Sequence, residues 1–123
     1  MRVEEVFHPG TLTCDATDAL ADVARRMTAD HVGALAVLDG DRIIGIISER
    51  DLVRAIAEQA DPRQTTATAF ASHQLETAAV EEDIRDVARR MLDAGVRHLP
   101  VKRGPAVVGV ISMRDLLAIE TWL

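Results

Sequence analysis

One stretch of this chain is written twice. Gly45-Ile46-Ile47-Ser48-Glu49-Arg50-Asp51 returns 64 residues later as Gly109-Val110-Ile111-Ser112-Met113-Arg114-Asp115. The residues before it return at the same offset: Asp22-Val23-Ala24-Arg25-Arg26-Met27 is repeated letter for letter as Asp86-Val87-Ala88-Arg89-Arg90-Met91. Val32, Leu35, Val37 and Gly40 meet Val96, Leu99, Val101 and Gly104 with no gap. A repeat of this kind limits the architecture more than any composition does, because the chain must be two copies of one supersecondary unit.

The copies divide the chain into residues 1–61 and 62–123. Each reads as alternating strands and helices, an α+β pattern. Thr11 to Cys14 has the look of a short strand. Asp15 to Asp18 is rich in helix-starting residues, and Ala19, Leu20, Val23, Ala24 and Met27 follow at helical spacing. An apolar strand is expected from Val32. Val37-Leu38 then enters Asp39-Gly40-Asp41, a turn signal that joins antiparallel strands. Arg42 to Ile47 is β-branched and nearly all apolar, which predicts a strand buried on both faces. Ser48 with Asp51 three residues on has the spacing of a capping box. Leu52, Val53, Ala55 and Ile56 carry the helix forward. Gln59 to Gln64 reads as a linker, since Pro62 cannot continue a helix. Each copy is thus β-α-β-β-α. About 60 residues are marginal for one core, so the two copies should bury a shared face.

Composition narrows the function. Net charge is −6, with no basic stripe, so neither nucleic acid nor an anionic membrane is an expected partner. No apolar run approaches the roughly 20 residues of a membrane span, and no signal peptide is visible. Cys14 is the lone cysteine, which suits a reducing, cytoplasmic location. It reads as a buried, inert thiol, and Met27 and Met91 as core filling. His8, His31, His73 and His98 show no metal-ligand spacing. There is no phosphate-binding Gly-x-x-x-x-Gly-Lys loop, no nucleophile elbow and no acid–base pair. The sequence offers no catalytic residues and requires no cofactor or metal.

Ser48–Asp51 and Ser112–Asp115 have two readings. They serve as helix caps, and that alone accounts for the spacing. A helix N-terminus also favours a phosphate, and a carboxylate beside it can accept from both hydroxyls of a ribose. Gly45 leaves room for a ring or sugar to approach the backbone.

Two Gly-apolar-x-Ser-x-x-Asp stretches, each preceded by Val32-Gly33-Ala34-Leu35-Ala36-Val37 or Val96-Arg97-His98-Leu99-Pro100-Val101, resemble the cystathionine-β-synthase (CBS) domain pair, or Bateman module. The resemblance runs from about Val3 to the last helix. It implies two units packed sheet to sheet about a pseudo-twofold axis, with two clefts between them. It implies that Asp51 and Asp115 bind ribose, and that Ser48 and Ser112 lie near ribose or phosphate. Val32 and Val96 would lie against adenine, with Ile46 and Val110 on its other side. Thr13 and Thr77 belong to segments that line the base. Arg50 and Arg114 flank the aspartates, where they meet phosphate or form a solvated helix face. The second half is the more cationic, with Arg97, His98, Lys102 and Arg103, so the clefts need not be equal.

The function implied is a stand-alone regulatory module. It would sense AMP, ADP, ATP or S-adenosylmethionine and pass the signal to a partner protein. The alternative is a ligand-free dimerisation or scaffold module. A homodimer is expected from surplus apolar residues on the two helices after the repeated stretch. These are Leu52, Val53, Ala55, Ile56 and Ala57 in one, and Met113, Leu116, Leu117, Ile119, Trp122 and Leu123 in the other.

Overall fold

The computed structural model describes residues 1–10, 12–73 and 76–122. After a 3-10 turn at Val3–Glu5, the elements are β1 (His8–Pro9), β2 (Thr13–Asp15), α1 (Leu20–Asp30), β3 (Ala34–Asp39), β4 (Arg42–Ser48), α2 (Glu49–Ala57) and α3 (Ala67–Phe70). Then come β5 (Ala78–Ala79), α4 (Ile84–Ala94), β6 (His98–Arg103), β7 (Ala106–Ser112) and α5 (Met113–Trp122). The β-α-β-β-α order recurs in both copies. Thr11, Leu123 and the side chain of Trp122 lie outside the described residues.

By packing, the chain forms two compact units that differ from the two halves of its sequence. One holds residues 13–75; the other holds 1–12 and 76–123. The opening segment therefore joins the second copy, and the segment after Pro62 stays with the first. Main-chain bonds explain why. The helix α1 has Ala19 at its N-cap with no side-chain cap, so its first amides need acceptors. Leu20 N–H donates to Thr65 O at 3.0 Å and Ala21 N–H to Pro62 O at 2.9 Å. In the other unit Ile84 N–H donates to Met1 O at 3.0 Å. The same exchange places Ala67 N–H on Asp18 O at 2.8 Å and Val3 N–H on Glu82 O at 2.9 Å. These are 64-residue images of one another, so each leading segment is a built part of the unit it joins. Asp18 does not start the helix as its position suggested; its carboxylate accepts from Asp15 N–H at 2.8 Å and closes the turn before it.

The sheet of residues 13–75 runs β2-β3-β4, with β2 parallel and β4 antiparallel to β3. The other runs β5-β6-β7-β1. Both hairpins carry an irregularity at the same point, between Val37 and Leu38 and between Val101 and Lys102. The strands after Val32 and Val96 start two residues later than the sequence suggests, at Ala34 and His98. The chain must first leave the preceding helix through a left-handed residue, His31 at φ 55° or Gly95 at φ 69°.

Helix α1 buries Leu20, Val23 and Met27, and α4 buries Val87 and Met91, as the helical stripe requires. Around α4 gather Val3, Ala78, Val80, Leu99, Val101, Ile111 and Leu116, an aliphatic core without an aromatic at its centre. Each fully buried Val, Leu, Ile or Met contributes roughly 1.5–3 kcal/mol relative to exposure. The strand β4 is less buried than its apolar run implied. Gly45 and Ile47 are buried, while Ile43, Ile44 and Ile46 are only partly covered. One face packs on the core and the other is partly covered.

Candidate functional site

The two Ser-x-x-Asp corners stand where a strand hands over to a helix. β4 ends at Ser48 and α2 begins at Glu49; β7 ends at Ser112 and α5 begins at Met113. Glu49 N–H donates to Gly33 O at 3.0 Å and Met113 N–H to Arg97 O at 2.8 Å, which fixes each corner to its neighbouring strand. Asp51 Oδ2 accepts from the backbone N–H of Ser48 at 2.8 Å, and Asp115 Oδ2 from that of Ser112 at 2.9 Å. These are charge-assisted caps on the first turn. Both serines and both aspartates are half-buried.

Both serine hydroxyls accept from the backbone N–H three residues on, at 3.0 Å in the case of Ser112, and Ser48 Oγ also donates to Asp51 Oδ2 at 3.1 Å. The other carboxylate oxygen differs too. Arg54 Nη2 lies 3.5 Å from Asp51 Oδ1. Sixty-four residues on, the place of Arg54 is taken by Ala118, and among the described residues Asp115 has no ion pair.

The remaining candidates fall around these corners unevenly. Ile46 pairs with Ala36 on one side and with Ser72 on the other, while Val110 pairs with Pro100 and with His8. Ile46 is partly covered and Val110 buried. Val32 and Val96, both partly covered, sit just past their helices, each amide bonded at 3.0 Å to Met27 O or Met91 O. Thr13 opens β2 and Thr77 precedes β5, and both are half-exposed. Arg50 and Arg114 are exposed and make no ion pair among the described residues. Serine and aspartate are therefore in direct contact in each copy. The valines, threonines and arginines lie on the adjoining elements.

Three supporting features had weaker sequence signals. Arg26 donates to Thr13 O, and Arg90 to Thr77 O at 3.0 Å, so a repeated arginine holds each threonine segment. Arg90 also grips Glu82 with bonds of 2.8 and 3.0 Å. The letter-for-letter Arg-Arg repeat was the available clue. Residues 72–73 form a strap along β4: Ile46 and Ser72 exchange two backbone bonds of 2.9 Å. His73 completes it, with Nε2 3.0 Å from Thr68 O and Nδ1 3.4 Å from Ile44 O. The third is Arg54. Register also places His98 opposite Ser112, where Ala34 stands opposite Ser48.

Cys14, next to Thr13, is 3 % exposed. Burial, with Asp18 nearby, pushes its thiol up to about 11, so it is no nucleophile. Among the described residues no three His, Cys, Asp or Glu side chains gather as a metal site. Nor is any described helix long and apolar enough to cross a membrane.

A repeated α+β unit with a Ser–Asp corner at matching points of both copies defines a tandem domain pair. The chain belongs to the CBS domain family, whose model matches residues 3–58 and 67–120. A Bacillus subtilis protein, YlbB, is 31% identical over 120 residues, covering 94% of this chain and 79% of its own. A Methanopyrus kandleri protein, MK0525, is 28% identical over 124 residues, covering 98% of this chain. The chain spans 63%, 59% and 54% of the length of three curated relatives, MK0525 among them. In fold it resembles the CBS domain pair of protein MJ0100, solved in complex with 5'-methylthioadenosine and S-adenosyl-L-methionine. That likeness has a TM-score of 0.88 over 99% of this chain and 97% of that one, at 19% identity.

Proposed function

We propose that this chain senses an adenosine-containing ligand, AMP, ADP, ATP or S-adenosylmethionine, at its two Ser-x-x-Asp corners and passes the signal to a partner protein. One observation carries the reading. In both copies the helix cap consumes only Oδ2 of the aspartate, so the second oxygen is surplus to the cap. In this reading Asp51 and Asp115 accept from ribose hydroxyls, with Ser48 and Ser112 beside them. Val32, Ile46, Val96 and Val110 flank the base, Thr13 and Thr77 lie at its edge, and Arg50 and Arg114 reach phosphate. The ligands in the MJ0100 complex support the adenosine class. The lone buried cysteine supports a reducing, cytoplasmic setting. The chain would act by binding, with no catalysis of its own.

Calorimetric titration with AMP, ATP and S-adenosylmethionine tests this. Asp→Asn is the informative change, because the amide oxygen still accepts the cap bond while the charge and second acceptor are lost. Asp51→Asn with Asp115→Asn should lower affinity at least tenfold and leave the melting temperature within a few degrees. A ligand at a hundredfold excess over Kd should stabilise the wild type by about 2.7 kcal/mol. Wild-type affinity in the double variant refutes the site assignment.

A homodimer is a compatible second reading, favoured by a specific observation. α2 leaves Val53 66% and Ile56 75% exposed, and α5 leaves Leu117 56% exposed. Isologous pairing of these helices would cover them. Light scattering should give twice the chain mass at high micromolar concentration, and a monomer mass there would exclude it.

A further inference from the structure

Resting on the adenosine reading, we infer that Arg54 ranks the two sites, holding the Asp51 corner closed against ligand while the Asp115 corner stays open. The contacts of Arg54 lie inside residues 13–75. Arg54 Nη2 lies 3.5 Å from Asp51 Oδ1, the oxygen that the helix cap does not use. The same nitrogen donates to Phe70 O at 2.9 Å. The guanidinium carbon stands 4.9 Å from the centre of the Phe70 ring, a cation–π distance. Nη1 lies 3.5 Å from Glu58 on the next turn. One cation is thus fastened at four points, and the segment carrying Phe70 is itself bonded to the unit through Ala67 and Ser72.

A ribose that binds Asp51 in a bidentate way needs the oxygen that Arg54 faces. The guanidinium must turn away first, forfeiting its bond to Phe70 and its place on the ring. The unit of residues 1–12 and 76–123 lacks the cation and the ring: Ala118 stands in the place of Arg54 and Val6 in the place of Phe70. Both serine hydroxyls cap a helix amide, and the Ser48 hydroxyl donates to Asp51 as well. All of these differences favour the Asp115 corner.

The size of the effect is bounded. Arg54 is half-exposed, so its ion pair is screened and the lock is modest. A five- to tenfold difference in affinity between the corners is expected, tenfold being ~1.4 kcal/mol.

Titration of the full chain with AMP by calorimetry tests it, with the melting temperature followed in parallel. Wild type should show a tight and a weak class of site, the tight one removed by Asp115→Asn and the weak one by Asp51→Asn. Arg54→Ala should tighten the weak class about five- to tenfold and leave the tight class unchanged. Ala118→Arg, on an exposed position three residues after Asp115, should weaken the tight class. A general loss of structure would lower the melting temperature and both affinities together, so it cannot mimic a gain at one site. Two equal classes in wild type, or no tightening by Arg54→Ala, overturns the lock and leaves the sensor reading standing. ATP and S-adenosylmethionine are titrated alongside AMP, and equal classes of site, or no tightening by Arg54→Ala, with whichever of the three binds overturns the lock. No binding of any of the three overturns the sensor reading and the lock with it.

Discussion

Gly45 is where the strap meets the strand, and replacing it with alanine gives a direct test of that contact. A Cβ at Gly45 would stand 2.2 Å from Ser72 O, 3.1 Å from Ser72 C and 3.4 Å from His73 Cα. The first distance is far inside van der Waals contact, and the obstructing atoms are backbone, so no rotamer change relieves it. The molecule has two ways out. Keeping the strap in place costs about 1–3 kcal/mol of overpacking. Lifting it sacrifices the two 2.9 Å bonds between Ile46 and Ser72, at about 1 kcal/mol each. These are alternatives and do not add, so the cheaper one sets the loss at about 2 kcal/mol. For a chain of this size that is a fall in Tm of roughly 6–12 °C. Calorimetry reads the Tm, and amide exchange at Ile46 and Ser72 distinguishes the routes: strain keeps both amides protected, lifting exposes them. Gly40→Ala is the control. Gly40 has φ +62° and no atom within 4 Å of an added Cβ, so only backbone strain of about 1 kcal/mol applies and the strap should be untouched. A Gly45→Ala protein with unchanged Tm and unchanged protection would refute the account of the strap.

Other outcomes are expected elsewhere. His31 occupies the left-handed exit of α1 where Gly95 stands in the second copy, so His31→Gly should raise Tm by a few degrees, and a fall would show that the imidazole has a compensating contact. Asp83 caps α4 through Arg85 N–H at 2.8 Å, and this bond holds its carboxyl below the ordinary range. Its contribution is present above the unfolded pKa near 4 and is lost as pH falls through the lower folded value, so the gap in Tm between wild type and Asp83→Ala should close in acid and stay constant at neutral pH. Cys14 behaves oppositely: its neutral thiol is favoured by the fold, so stability present below about pH 9 should decline toward pH 11, and iodoacetamide at pH 8 should label it only as fast as the protein opens. A fragment of residues 13–75 should retain more helix and amide protection than one of residues 1–61, which lacks Pro62, Thr65, Ala67 and Ser72; a well-folded 1–61 monomer would contradict the packing described.

Much of this architecture was legible because it rests on side chains of fixed character. The Asp39-Gly40-Asp41 turn, the Met27 and Met91 stripes and the Ser48–Asp51 cap were all readable as local chemistry, and their recurrence removed the ambiguity of short motifs. What escaped is carried by the main chain. Nothing in the letters of Met1 or Thr65 says that their carbonyls will cap α4 and α1, since any residue offers the same oxygen. The half-open face of β4 was hidden for a related reason: an unbroken apolar run does not say which of its faces will be covered. Arg54 had a visible clue in its spacing from Asp51. Its anchor at Phe70 lies 16 residues away and needed the fold to bring it back.

The exchange of leading segments has a consequence for how the two copies drift apart. His8 and Pro9 are written in the first copy, yet they lie against Val110 and Gly109 on the strand leading to Asp115. Ser72 and His73 are written after the linker, yet they line the strand leading to Asp51. A change in the first dozen letters therefore acts on the later corner, and a change just after Pro62 acts on the earlier one. Aligning the halves letter by letter credits Pro9 and His73 each to the wrong corner. Any genetic map of how these two sites diverged has to be read crosswise at the leading segments and straight everywhere else.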